Sequence, residues 1–399
     1  MRFLFINIVI SAVYIIYLYT FVSIIINTIN NQTNINLRTM DSLKKIIQQF
    51  PEVGEVKEIV ALTSGLINQT YKVVTADENA HDYILQCVNH NIFTNVDMLQ
   101  RNIECVTNHI REKLESAHTD DIDRKVLRFV STAEGKTYYY DGERYWRVCV
   151  FIPKSLTLDA VTPESSYLVG LKFGEFEAML ADIPEELGET IPDFHNMEFR
   201  MKQLREAVAD NKAGRMEKVQ QLVDDIEKDS EEMCSAERLY REGKLPKHIC
   251  HCDTKVSNML FDEDGQVLCV IDLDTVMPSF VFSDFGDFLR SAANTSKEDE
   301  PDLSKIQFKM DIFKSFAKGY IESAKSFLSP LEIEMLPYAV MLFPYMQTVR
   351  FLADYINGDT YYQIQYPEHN YVRSLAQYKL YQEARKAVPE MKAYIQSLL

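Results

Sequence analysis

The sequence predicts an α+β chain of two lobes, a small antiparallel β lobe carrying one helix and a larger, mostly helical lobe after it. Three observations lead there. From Val56 to Tyr145, short runs alternate apolar and polar residues, are rich in β-branched side chains, and break at turn pairs such as Asp141-Gly142. Beyond Pro153, long segments carry helical periodicity instead. In that second half, strand-like runs crowd into one stretch, HCDTKVSNMLFDEDGQVLCVIDLDTVMPSFVFSDFGDFLR (His251 to Arg290), where acidic residues stand at the strand ends.

Taken in order, residues 1–39 form an apolar extension, MRFLFINIVISAVYIIYLYTFVSIIINTINNQTNINLRT. It is long enough to span a bilayer as a helix and lacks the small-residue cleavage site of a secretory signal. Its Phe, Ile, Asn and Tyr bias also fits translation of AT-rich DNA upstream of Met40, which opens an amphipathic start, MDSLKKIIQQFP. On that reading the working protein is cytoplasmic, with membrane anchoring as the alternative if residues 1–39 are translated. Residues 40–152 make the first lobe: EIVALTSGLINQTYKVVTA and DYILQCVNH as strands, VDMLQRNIECVTNHIREKL as a helix, then KVLRFV, TYYYDG and ERYWRVCVFI. Residues 153–399 make the second. Its helices are YLVGLKFGEFEAMLADI, the long segment from Glu198 to Tyr240, FKMDIFKSFAKGYIESAKSFL and LEIEMLPYAVMLFPYMQTVRFLADYI.

A net charge of −17 over 399 residues argues against nucleic-acid binding, because a polyanion would be repelled and no basic stripe is present. Any anionic ligand must be held by local donors or a cation. The seven cysteines are an odd number, mostly inside apolar runs, as expected of reduced core thiols. Cys250, His251, Cys252 and Cys269 raise the thought of zinc. Neighbouring strand residues point to opposite faces, so the cysteines cannot share a ligand sphere with His251 without distortion.

Within the acidic stretch, His251, Asp253 and Asn258 fit H-x-D-x-x-x-x-N, and Asp272 closes the next strand. A carboxylate that reaches a hydroxyl can orient it and take its proton, while an amide oxygen and a second carboxylate are hard ligands for Mg²⁺. These are the parts of phosphoryl transfer, where positioning and charge neutralisation dominate catalysis.

On these residues, with VIDLDTVMP and DFGD, the chain resembles the aminoglycoside phosphotransferase and choline kinase family, and within it the N-acetylhexosamine 1-kinases. The resemblance covers most of the chain after Met40 and implies a bilobal protein-kinase-like fold that uses ATP and Mg²⁺. It makes Asp253 the catalytic base, His251 a brace for the catalytic loop, and Asn258 and Asp272 the metal ligands. The literal Asp284-Phe285-Gly286 lies too far along to be the metal-binding motif; Asp284 and Asp287 are expected to support the loop and cap the following helix.

On the nucleotide side the resemblance points to the loop from Thr63 to Thr70, with Gly65 and Asn68, although an ordinary hairpin has the same look. The strand position that often pairs a Lys or Arg with phosphates is Gln86, followed by Cys87. Asn68, Lys72 or a residue of the helix after Asp97 is left to compensate. Phe151 and Ile152 would form the hinge that contacts adenine through backbone groups.

For the acceptor, Arg350 and Tyr361 match the sugar pocket of the hexosamine kinases, with Phe194, His195 and Asn196 as further candidates. Arg350 could equally pair with Asp354 one helical turn on. Ser291-Ala292-Ala293 departs from the hexosamine pattern and leaves room for another sugar. The expectation is an ATP- and Mg²⁺-dependent kinase acting on the anomeric hydroxyl of an N-acetylhexosamine or related sugar. Its rivals are a kinase of an amino alcohol or aminoglycoside, and a non-catalytic pseudokinase-like binding protein.

Overall fold

The computed structural model describes residues 40–62 and 68–399. The expected anchor or extension, residues 1–39, and Gly65 of the loop lie outside the described residues. Among the described residues no helix is long and apolar enough to cross a membrane. The backbone divides into two compact units, one holding residues up to Asn89 with Phe129–Phe151, the other His90–Arg128 with Ile152–Leu399.

The first unit is a five-stranded antiparallel sheet of strands β1 (Val56–Leu62), β2 (Gln69–Thr75), β3 (Tyr83–Val88), β4 (Tyr139–Tyr140) and β5 (Tyr145–Val150), in the order β1-β2-β3-β5-β4. Strand alternation splits its side chains between two faces. Val73, Leu85, Trp146, Val148 and Val150 fill one face and pack with Leu43, Ile46, Ile47 and Phe50. The first three of these belong to α1, helical over residues 40–47, so the amphipathic run after Met40 seals the core. The opposite face carries Thr70, Lys72, Ile84, Gln86, Arg147 and Cys149, in rows set by the register Thr70↔Gln86↔Arg147 and Lys72↔Ile84↔Cys149.

The second unit is mainly helical. It comprises α2 (Val96–Ser116), α3 (Pro163–Leu180), α4 (Met197–Asp210), α5 (Met216–Met233), α6 (Ser235–Arg241), α7 (Phe282–Ala292), α8 (Met310–Ala324), α9 (Pro330–Asn357) and α10 (His369–Leu398). Helix α9 starts at a capping box between Ser329 and Glu332 and stops at Gly358, whose φ of 97° suits a left-handed cap. Glycines let helices meet closely: a Cβ on Gly319 of α8 would lie 2.1 Å from the Tyr167 carbonyl of α3. Two short antiparallel pairs interrupt the helices: β6 (His248–Cys250) with β9 (Met277–Ser279), and β7 (Met259–Phe261) with β8 (Val267–Val270). They hold the acidic stretch.

Candidate active site

The loop after β6 is fixed by a network that explains most of its unusual residues. His251 is fully buried; its Nδ1 accepts from the Asp253 backbone N–H at 3.2 Å, and its Nε2 lies 2.8 Å from the Ile271 carbonyl. An N–H can only donate and a carbonyl can only accept, so the proton sits on Nε2. Both ring nitrogens are thereby engaged, and the imidazole ties the Asp253 backbone to the strand end that carries Asp272. The rings of Phe173 and Phe176 meet the imidazole edge-on. His251 is thus a brace held by backbone, with no nitrogen to offer a metal.

Asp284, also fully buried, accepts from the backbone N–H groups of His251 and Cys252, each at 2.7 Å. Those bonds hold Cys252 in the left-handed region, at φ 62°, a conformation that a non-glycine residue adopts at a cost. Beyond that turn the Asp253 carboxylate is partly exposed. Thr254 adds a bond to the Asp284 carbonyl at 2.8 Å, and Thr275 donates to the His251 carbonyl at 2.8 Å.

Asn258 donates to the Asp253 carbonyl at 2.8 Å and to its carboxylate at 3.1 Å. That spends the amide nitrogen and leaves the amide oxygen as the side chain's acceptor. The Asn258 carbonyl in turn accepts from the Ile271 N–H at 2.9 Å, which sets Asn258 beside the strand end leading to Asp272. Asp272 is left-handed, at φ 59° and ψ 58°. An amide oxygen and a carboxylate are both hard-oxygen groups of the kind that Mg²⁺ takes as ligands.

Lys255 reaches the Asp253 carboxylate at 2.9 Å. Burial works against its charge, but the carboxylates of Asp253, Asp287 and Asp272 outweigh that and raise its pKa. Asp287 is gripped by Arg290 through two bonds, at 3.1 and 3.0 Å, and Arg290 also pairs with Glu298 at 3.0 Å. Burial opposes ionisation of Asp287, yet the charges of Arg290 and Lys255 keep its pKa low. Asp284 therefore supports the loop as expected, whereas helix capping does not follow: α7 begins after Val281 with no side-chain cap, because both carboxylates are spent elsewhere.

Beyond Asp287 the charge turns positive. His195 contacts Ser283 Oγ at 3.0 Å and stacks on Phe194 with ring centroids 4.3 Å apart. Burial, reinforced against Asp287 by Arg350, Arg200 and Arg290, lowers its pKa to about 3, so it is neutral at physiological pH. Arg350 bonds Gln347 at 3.1 Å and lies over the rings of Phe194 at 5.4 Å and Tyr362 at 5.7 Å. The alternative ion pair with Asp354 does not form, since the Asp354 carboxylate accepts from the backbone N–H groups of Thr360, Tyr361 and Tyr362. Those bonds order the following loop, leaving Tyr361 67% exposed and turning its neighbour Tyr362 to Arg350. The Tyr362 hydroxyl is buried with no hydrogen-bond partner among the described residues. Arg200 donates twice to the Phe194 carbonyl, at 3.2 and 2.7 Å, and burial together with the nearby Arg350 guanidinium lowers its pKa to about 10.

Of the nucleotide-side candidates in the first unit, Asn68 accepts from the Asn89 N–H at 2.9 Å, linking the start of β2 to the end of β3. Gln86 donates to Thr70 Oγ1 at 3.3 Å and accepts from Arg147 Nε at 3.0 Å. Lys72 pairs with Asp82 at 3.2 Å and lies 4.0 Å from the centre of the Phe151 ring. The Phe151 N–H donates to the Asp82 carbonyl at 2.9 Å. Ile152, the first residue of the second unit's next segment, packs against Leu268 and Cys269.

A profile of the phosphotransferase enzyme family matches residues 58–309, more than half of the chain. The chain belongs to the phosphotransferase enzyme family. Solved structures agree on the fold. An aminoglycoside phosphotransferase from Alicyclobacillus acidocaldarius superposes with a TM-score of 0.57 at 13% identity, over 89% of this chain and 96% of its own. The amicoumacin kinase hAmiN, solved in complex with AMP-PNP, Ca²⁺ and Ami, gives 0.53 at 14% identity, over 87% and 93%. A choline/ethanolamine kinase family protein from Mesorhizobium loti gives 0.52 at 15%, over 90% and 98%. The expected α+β, protein-kinase-like architecture is thus the one this phosphotransferase has.

Several side chains of this phosphotransferase that belong to the same networks were not singled out from the sequence: Arg147, Glu177, Arg200 and Tyr362. Glu177 of α3 is fully buried, accepts a hydrogen bond from the Tyr320 hydroxyl, and lies against Cys250 and Asp284. Burial, with the Asp284 charge adding to it, pushes its pKa well up. A glutamate inside the apolar run GLKFGEFEAML is the one signal that could have marked it. The other three needed the register or the loop geometry.

Proposed function

We propose that this phosphotransferase is an ATP-dependent small-molecule kinase whose acceptor is a neutral sugar, an N-acetylhexosamine or a close relative phosphorylated at its anomeric hydroxyl. The observation that carries the acceptor class is the pair Arg200 and Arg350. Among the described residues neither guanidinium has a carboxylate within ion-pair distance, and both lie beside Phe194, with Tyr362 on the other side of Arg350. A cationic acceptor would be recognised by carboxylates and open aromatic faces, and two unpaired guanidiniums would repel it. Ring hydroxyls and an amide carbonyl are instead good acceptors for such forks, and the sugar face has an aromatic wall to lie on.

In the proposed reaction Asp253 accepts a hydrogen bond from the acceptor hydroxyl and takes its proton as the oxygen bonds to the γ-phosphorus and the bond to the leaving ADP breaks. His251 and Asp284 keep the loop in its strained turn, so the carboxylate needs no reorganisation. Asn258 and Asp272 would hold Mg²⁺, which when bound neutralises phosphate charge. Lys255 sits beside the Asp253 carboxylate, where a cation suits a transferring phosphoryl group. Keeping base, amide and second carboxylate together argues for catalysis over a binding-only role.

A panel of N-acetylhexosamines, amino alcohols and aminoglycosides, each incubated with Mg²⁺-ATP and followed by ADP release, tests the reading. Acceptor-dependent ADP formation is expected with the neutral sugars. Release confined to amine-bearing acceptors would replace the sugar assignment.

A further inference from the structure

We infer that Glu177, on helix α3, is a positioning residue for the proposed reaction: its carboxyl group stays protonated and donates to the Asp284 carboxylate, fixing the turn that precedes Asp253. The inference rests on the kinase reading above. Glu177 and Asp284 are 1% and 0% exposed. A carboxyl oxygen from each, together with the Cys250 Sγ, lie within 4.8 Å of one another. The two carboxyl groups are also hydrogen-bonded to each other. Two bare carboxylates cannot form such a bond, because neither has a donor, and in one buried space they would repel. One of the pair therefore carries a proton.

Their other partners decide which one. Asp284 spends both oxygens on backbone donors: Oδ2 accepts from the His251 N–H and Oδ1 from the Cys252 N–H, each at 2.7 Å. Such bonds favour the charged form of a carboxyl group. Glu177 accepts from the Tyr320 hydroxyl at Oε2, while no N–H or O–H donor among the described residues reaches its buried Oε1. The proton thus belongs on Glu177, where it gives Asp284 a third donor and relieves a buried acceptor that nothing else satisfies. Burial raises the pKa of both carboxyl groups, and at Asp284 the two N–H bonds work against that rise. Burial likewise pushes up the Cys250 thiol and the Tyr320 phenol, so neither brings a charge to the pair. His251 has its Nε2 proton turned to the Ile271 carbonyl. The effect reaches the base through one turn: the bonds from Asp284 hold Cys252 at φ 62°, and Asp253 follows it directly. An ionised Glu177 would set a second negative charge against Asp284 and pull it from those N–H groups.

Infrared spectroscopy reads the proton and steady-state kinetics read its use. At about pH 7 exposed carboxyl groups are ionised, so wild type is expected to show the carbonyl stretch of a protonated carboxyl group, and Glu177→Gln to lose it. The Gln amide still donates to Asp284, and kcat should stay within about threefold of wild type. Glu177→Leu keeps much of the volume but has no donor, and should lower kcat about tenfold or more with both KM values nearly unchanged. If the Leu variant does not fold, the lost band and the retained kcat of the Gln variant carry the inference, and a larger fall in that kcat overturns it. No band lost in Glu177→Gln, equal falls in kcat for the two variants, or full kcat in a folded Leu variant would also overturn it. So would a stoichiometric metal ion bound by wild type and absent from Glu177→Gln, since an ion would then hold the place assigned to the proton. Wild-type protein with no acceptor-dependent turnover would instead remove the kinase reading, and the positioning role with it, whatever the infrared spectrum shows.

Discussion

At the scale of single residues, the carboxylate of Asp253 and the fork of Arg350 make separable demands. Asp253→Asn keeps the backbone bonds that His251 and Asp284 use to shape the loop, and gives up the charge that Lys255 pairs with. It is expected to fold and bind nucleotide normally and to lose turnover by orders of magnitude, read as kcat beside a thermal melt. Arg350→Lys keeps charge and loses the planar donor pair. Removing one or two charge-assisted hydrogen bonds to the acceptor costs about 1.5–3 kcal/mol each. The acceptor KM should therefore rise at least tenfold, with the ATP KM nearly unchanged. Equal acceptor KM values would move the pocket away from Arg350. Residue identity alone could not choose between Tyr361 and Tyr362: which tyrosine turns inward follows from the loop bonds that Asp354 accepts, and those are long-range facts.

At the scale of elements, the loop after β6 depends on how α3, α7 and α8 pack beneath it. Glu177 of α3 faces Asp284 of α7, Tyr320 of α8 and Cys250 of β6, with the imidazole of His251 adjacent to Asp284. Its folded pKa is raised above the unfolded value of 4.5, so its contribution to stability is intact below that value and is lost as pH rises toward the folded pKa. Glu177→Gln keeps an acceptor for Tyr320 and a donor for Asp284 but cannot ionise. It should match wild type near pH 5 and become progressively more stable than it toward pH 8, by up to about 1.4 kcal/mol per pH unit, measured by denaturant titration. A Gln variant less stable than wild type by the same amount at every pH would show that Glu177 is ionised in the fold.

The literal Asp-Phe-Gly also finds its meaning at this scale. A Cβ on Gly286 would lie 2.5 Å from the Ala339 carbonyl of α9, so this glycine lets α7 and α9 touch. Gly319→Ala, at the α3–α8 crossing, should cost about 1–3 kcal/mol by overpacking, seen as a lower melting temperature with unchanged ligand affinities in the folded protein.

For the whole molecule, the order of lobes, the alternation of the sheet and the His251, Asp253, Asn258 and Asp272 spacing were legible because each is a local pattern. The run from Met40 was legible as amphipathic, but not its role as the lid of the sheet's core, which depends on packing. Arg147 was hidden for a different reason. A basic residue in an apolar strand has no meaning until the register sets it opposite Gln86. The positive cluster of Arg200, Arg290 and Arg350 is likewise dispersed in sequence and assembled only by α4, α7 and α9. In a chain of net charge −17, that concentration of guanidiniums bears most directly on the acceptor. The decisive measurement is phosphorus NMR of the product formed from Mg²⁺-ATP and a mixture of N-acetylhexosamine and amino-alcohol acceptors in equal amounts. The account predicts a new sugar 1-phosphate resonance with wild-type protein and none with Asp253→Asn. Phosphate appearing on the amino alcohol, or on the sugar with the Asp253→Asn variant, would contradict it.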